Sequence, residues 1–165
     1  MILVRVEEEY ASYSSKKRPA VPIIKEIIKN FHNEEIVVMA RYTSQVRYLE
    51  QTFGKKIRVL NEVVDSKILL ENTHIFVGSG GTMTAESALL GIPTISYNAV
   101  PNIIEAYLVR KKLVIRETNP KQIVISIRKI FVSSNLEIKK KSKKILDSME
   151  DPYPVLVKTM KSVLK

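Results

Sequence analysis

The stretch His74-Ile75-Phe76-Val77-Gly78-Ser79-Gly80-Gly81-Thr82-Met83-Thr84-Ala85-Glu86-Ser87-Ala88-Leu89-Leu90-Gly91-Ile92-Pro93-Thr94-Ile95-Ser96-Tyr97 carries the plan of the whole chain. Residues 74–78 are short, apolar and β-branched enough to predict a buried strand. Ser79-Gly80-Gly81 ends it, and a helix is predicted from about Thr82 to Leu90, closed by Gly91. Pro93 to Tyr97 then reads as the next strand, with proline at its permitted first position. Strand, glycine turn, helix and strand in immediate succession make a βαβ unit, which demands a parallel sheet.

The same rhythm extends in both directions. Upstream, strands are predicted at residues 2–6, 35–40 and 56–60. Between them, a helix opened by Pro19 or Pro22 carries Ile23, Ile24, Ile27, Ile28 and Phe31 on one face. Ser44 is the predicted cap of a second helix bearing Val46, Leu49 and Phe53, and Asp65 caps a short third one. Downstream, a helix near 102–111, a strand at 113–115 and an amphipathic helix at 120–131 complete the pattern. The predicted fold is α/β: a doubly wound, mainly parallel six-stranded sheet with helices on both faces, over residues 1–132. Residues 133–165 read as a helical appendix, with a Lys-heavy helix at 136–149, a break at Asp151-Pro152 and a last helix at 154–164.

Composition narrows the chemistry. The 165 residues suit one domain, and the absence of Cys excludes disulfides, thiolate catalysis and Cys-ligated zinc. Two histidines, His32 and His74, leave little material for a metal centre, and neither belongs to an assembled triad. His74 is expected to be a satisfied structural imidazole beside the glycine turn, and His32 to be exposed. No run approaches the ~20 apolar residues needed to span a bilayer, and the first residues lack the features of a signal peptide. A cytoplasmic protein is expected. The formal charge of +10 favours acidic partners.

Four of the five glycines, Gly78, Gly80, Gly81 and Gly91, fall within residues 78–91. A strand, then Gly-Ser-Gly-Gly-Thr, then a helix lets backbone N–H groups approach an anion at the carboxyl end of a parallel strand. A phosphate or diphosphate is the ligand this arrangement suits. It is neither a P-loop, which ends in Gly-Lys-Ser/Thr, nor a Gly-x-Gly-x-x-Gly fingerprint, because position 83 is Met. The purely structural reading is a tight turn capped by Thr82 or Ser79. Glu86 lies one turn beyond Thr82 on the same helix face. It either accepts hydrogen bonds from vicinal ribose hydroxyls or merely complements the helix dipole, worth about 0.3–1 kcal/mol.

The run Asn72 to Ile95 resembles the nucleotide-sugar motif of GT-B glycosyltransferases and UDP-N-acetylglucosamine 2-epimerases. It is more similar still to an uncharacterised archaeal family related to those enzymes, whose members carry a Gly-Gly-Gly-Thr-Met segment followed by Glu-Ala-Ala-Leu-Leu-Gly-x-Pro. The likeness extends to the Arg-bearing first strand, Asp65-Ser66 before Leu69-Leu70, and Glu150-Asp151-Pro152. It implies a Rossmann-like C-terminal half of a two-domain GT-B protein, and with it a UDP-type nucleotide sugar as ligand or substrate and no separate cofactor. By match to the motif, Ser79, Gly80, Gly81 and Thr82 would contact the diphosphate and Glu86 the ribose. Arg5 and Arg41, at the ends of the first two strands, would point into the same cleft. The abrupt start at Ile2 fits an excised or separately encoded C-terminal domain, and self-association through the face left without its partner domain or through the terminal helices is a further expectation.

The chain also departs from the enzymes. The epimerases carry a His-Arg segment after the first strand of this domain, whereas Val4-Arg5-Val6-Glu7 has no His. Glu7, Glu8 and Glu9 are expected to be solvated acids on a loop, and no residue is assigned as catalytic. Tyr97 and Tyr107 either line the cleft or pack. The basic runs Lys16-Lys17-Arg18, Lys55-Lys56, Arg110-Lys111-Lys112 and Lys139 to Lys144 read as a solvated face or as a peripheral contact with an anionic membrane. Without interleaved aromatics, nucleic acid is disfavoured as a partner. The rival to the nucleotide-sugar reading is a non-catalytic α/β domain whose basic surface binds a polyanion or a partner protein.

Overall fold

The computed structural model describes residues 1–9, 18–60, 62, 64–97 and 102–163. Six strands form one sheet: β1 (Ile2–Arg5), β2 (Ile36–Met39), β3 (Arg58–Leu60), β4 (Ile75–Gly78), β5 (Thr94–Ser96) and β6 (Val114–Arg116). Their spatial order is β3-β2-β1-β4-β5-β6, and every neighbouring pair is parallel. The chain order therefore reverses direction between β1 and β4. In open α/β sheets that reversal opens a crevice at the carboxyl ends of the two strands.

Alternation within β1 explains why its residues are apolar throughout. Ile2, Leu3 and Val4 are all fully buried, yet they face opposite sides. Ile2 and Val4 join a core with Ile23, Ile24 and Ile27 of α1 (Ala20–Asn30), Leu49 and Phe53 of α2 (Thr43–Phe53), and Ile123 and Ile127 of α6 (Pro120–Val132). Leu3 joins Leu70 of α3 (Ser66–Glu71), Phe76, Ile92 and Met83 of α4 (Thr82–Leu89). Each such side chain contributes about 1.5–3 kcal/mol by leaving water. Helices thus cover both faces, as the alternating pattern predicts.

The helix starts show which sequence signals hold. Asp65 caps α3, accepting from the N–H groups of Lys67 at 2.8 Å and Ile68 at 3.3 Å. Asn102 caps α5 (Ile103–Arg110) through the Glu105 N–H at 2.8 Å, and Asn119 caps α6 ahead of Pro120. Ser44 does not cap α2, because the helix begins one residue earlier. Instead Gln45, buried to 3% exposure, accepts from the Arg41 N–H at 2.9 Å and the Tyr42 N–H at 3.3 Å.

Beyond α6 lie α7 (Leu136–Asp147) and α8 (Pro152–Val163). The two differ in their attachment. Ile145 of α7 is buried with Ala88, Leu108, Leu113 and Val114. Gly91 brings α7 close, since a Cβ there would lie 2.7 Å from Ser142 Oγ and 2.9 Å from Lys139 Cα. In α8 no residue is buried, and Tyr153, Leu156, Met160 and Val163 are exposed. No helix of the described residues is long and apolar enough to cross a membrane. Lys16, Lys17 and Leu164, and most of the loop expected over residues 7–18, lie outside the described residues.

Candidate functional site at the β1–β4 crevice

The glycine turn leaves β4 at the point where strand order reverses. Gly81 occupies the N-cap of α4 with φ +84° and ψ −166°, a conformation essentially confined to glycine, and Gly80 has φ +87°. A Cβ built at Gly81 would meet nothing within 4 Å, so conformation and not crowding requires glycine there. Gly78 is the reverse case: a Cβ would lie 2.5 Å from Phe76 Cε1 and 2.9 Å from Thr84 Oγ1. One glycine shapes the turn and the other lets α4 lie close on the sheet.

Neither Thr82 nor Ser79 caps the helix. No side chain does, and the first intrahelical bond runs from the Ala85 N–H to Gly81 O at 3.2 Å. The N–H groups of Thr82, Met83 and Thr84 therefore precede the helical ladder, at the positive end of its dipole. Ser79 and Gly80 are half-buried, whereas Gly81 and Thr82 are exposed.

Arg5 ends β1, the strand beside β4. Its Nη1 donates to Met83 Sδ at 3.1 Å, which ties the guanidinium to the first turn of α4 through a weak acceptor. Burial holds its pKa below the ordinary arginine value, and repulsion from Arg41 adds to the effect. Glu8 and Tyr97 oppose it. Two cations thus share the crevice, beside a helix N-terminus. Arg41, just beyond β2, is exposed and ion-paired with Glu8.

Glu86 projects from the second turn of α4 and is half-buried. Its carboxylate oxygens each lie 3.4 Å from Ser66 Oγ, at the start of α3. The structure therefore brings Arg5, Arg41 and the segment Ser79–Thr82 to one end of the sheet, with Glu86 one turn along the same helix.

The structure decides three sequence readings here. Glu7, Glu8 and Glu9 are not freely solvated, since the ends of α1 and α2 converge on them. Glu7 Oε2 accepts from the Ala20 N–H at 3.2 Å, and Gln45 Nε2 donates to Glu7 O at 2.9 Å. Glu8 accepts from Arg41 and from the Tyr42 hydroxyl, and Glu9 pairs with Arg18 at 2.9 Å. Burial raises the Glu7 carboxyl above its ordinary value, against hydrogen bonds from Ala20 and Tyr97. Second, Tyr97 is buried under the crevice, and its hydroxyl donates to Arg5 O at 2.8 Å. Third, His74 stands at the opposite end of β4 from the turn and is exposed. Its Nδ1 lies 2.8 Å from the chain's amino terminus. Gln45 and Tyr42 carried no functional signal in the sequence.

Comparison with known proteins gives a family and a fold. The family described as "Protein of unknown function (DUF354)" matches residues 1–165. An uncharacterized protein of Methanocaldococcus jannaschii is 30% identical over 156 residues, covering 94% of this chain and 42% of that protein. Among solved structures, the UDP-GlcNAc 2-epimerase of the same organism, in complex with UDP-GlcNAc and UDP, superposes with a TM-score of 0.65. The identity is 14%, over 88% of this chain and 44% of the enzyme. A spinosyn rhamnosyltransferase complexed with spinosyn aglycone superposes with a TM-score of 0.64 at 17% identity, over 97% of this chain and 44% of that one. The likeness to the solved structures is one of fold, a Rossmann-like domain of GT-B type. The chain spans less than half the length of each of these proteins.

Proposed function

We propose, for a chain that belongs to the DUF354 family, that this domain binds a nucleotide sugar of the UDP type. The diphosphate would lie over Ser79, Gly80, Gly81 and Thr82, receiving the uncommitted N–H groups that open α4. Arg5 supplies the facing positive charge, and Arg41 lies beyond it, ion-paired with Glu8. Glu86 would take the ribose hydroxyls.

The observation that carries this reading is the position of Arg5. A half-buried guanidinium whose hydrogen bond goes to a thioether stands beside a helix N-terminus whose turn is built from two positive-φ glycines. Both features favour an anion, and both lie at the topological switch point. The fold-level likeness to an epimerase solved with UDP-GlcNAc and UDP adds support for the ligand class.

The reaction we propose is glycosyl transfer or sugar epimerisation, with groups from an N-terminal partner half completing the site. A basic-surface reading has its own observation: Lys140, Lys143 and Lys144 form a cluster on α7 around an open concavity. Calorimetric titration with UDP, UDP-GlcNAc, ADP and GDP at two salt concentrations separates the two. Selective uridine-nucleotide binding, weakened in Glu86→Ala and weakly salt-dependent, supports the pocket. Unselective binding that collapses with salt supports the lysine surface.

A further inference from the structure

Tyr97 follows β5 directly, and its backbone is anchored to β4: the Tyr97 N–H donates to Gly78 O at 2.9 Å. Its side chain then passes beyond β4 altogether. The hydroxyl donates to Arg5 O at 2.8 Å and lies 3.2 Å from Glu7 Oε2, both on the β1 side. In the sheet order, β4 lies between β5 and β1. The phenol therefore reaches across the carboxyl end of β4, beneath the point where Ser79-Gly80-Gly81 departs. Ser79 also interacts with this hydroxyl.

Packing alone does not account for this arrangement. A phenylalanine would fill the same ring volume, and a buried hydroxyl is tolerated only because it has partners. Those partners are the backbone carbonyl of the residue bearing the candidate phosphate cation and the carboxyl two positions on. The phenol O–H is directed to Arg5 O at 2.8 Å, with Glu7 Oε2 the longer acceptor at 3.2 Å. The ends of β1, β4 and β5 are thus linked through one residue.

We propose that the Tyr97 hydroxyl is a positioning group that fixes the spacing between Arg5 and the glycine turn, and so governs affinity for the second phosphate of a nucleoside diphosphate. This rests on the nucleotide-sugar reading above. The residue need not touch the ligand. It acts through the Arg5 backbone carbonyl on one side and, on the other, through Gly78 O, the end of β4 from which the turn departs.

The test compares UDP with UMP on wild type and Tyr97→Phe. The expected result is an affinity loss of about tenfold for UDP and under about threefold for UMP, in a variant that keeps its far-ultraviolet circular dichroism and a cooperative urea transition. An equal loss for both ligands, or no loss for either, overturns the positioning role while leaving the nucleotide reading standing. Absence of UDP binding by wild type overturns the nucleotide reading, and the proposal with it. Should Tyr97→Phe fail to fold, wild type labelled with ¹³C at tyrosine Cζ gives the second readout. Saturation with UDP is expected to move the Tyr97 resonance and saturation with UMP to leave it in place; a Tyr97 resonance unmoved by UDP overturns the proposal.

Discussion

The Ser66 hydroxyl stands 3.4 Å from both oxygens of the Glu86 carboxylate, linking the first residue of α3 to the second turn of α4. The two positions are 20 residues apart and are brought together because α3 and α4 pack on the same face of the sheet, through Leu70 and Met83. Asp65 fixes the start of α3 and thereby where Ser66 stands.

If Glu86 receives the ribose hydroxyls, Glu86→Ala should weaken UDP binding by about 30-fold, and Ser66→Ala by about threefold, through freer motion of the carboxylate. Titration with 2′-deoxy-UDP checks the assignment: the Glu86→Ala penalty should shrink for the deoxy ligand. An unchanged penalty would assign Glu86 to the helix dipole.

Gly78→Ala and Gly81→Ala should fail differently. At Gly78 the added methyl collides with Phe76 and Thr84, a crowding cost of about 1–3 kcal/mol read as a lower urea midpoint. At Gly81 the space is open, and the cost of about 1–3 kcal/mol comes from a positive φ. Only Gly81→Ala should also abolish nucleotide binding in the protein that remains folded.

Glu7 should leave a pH signature on stability. Burial raises its carboxyl in the folded state above the unfolded value of 4.5. Its contribution is therefore complete below that value and is lost as pH rises through the raised folded pKa. Glu7→Gln removes the titration, so the stability of wild type relative to the variant should decline between about pH 4 and pH 7. Urea denaturation at both pH values measures it; a constant difference would contradict the burial of this carboxyl.

Removal of α8 should cost little. No residue of Pro152–Val163 is buried, so truncation after Asp151 should change the unfolding free energy by less than about 0.5 kcal/mol. Truncation within α7 should cost about 2–5 kcal/mol, because Ile145 would leave the core with Ala88, Leu108 and Leu113. Circular dichroism melts of the two truncated chains make the comparison.

Much of this architecture is legible in local sequence. β1 and β4 are apolar at every core position because both of their faces are covered, and the Asp65 and Asn119 caps act within three residues of themselves. Arg5 is visible as a charge ending an apolar strand. The parts that local reading misses all depend on chain segments meeting from afar. Gln45 looks like an ordinary helix-surface residue, and only the convergence of β1 on α2 makes it a buried link to Glu7 O. The acidic run Glu7-Glu8-Glu9 has the composition of a solvated loop, yet its partners Ala20, Tyr42 and Arg18 arrive at or just before the starts of α1 and α2. Tyr97 reaches Arg5 O across 92 positions of sequence, a contact that no periodicity encodes.

The central claim is that a nucleoside diphosphate sits on the glycine turn beside Arg5. Backbone amide chemical shifts during a UDP titration test it most directly. The account predicts the largest changes at Gly80, Gly81, Thr82 and Met83, with α7 undisturbed. Changes centred on Lys140, Lys143 and Lys144, or none at the turn under saturating UDP, would contradict it.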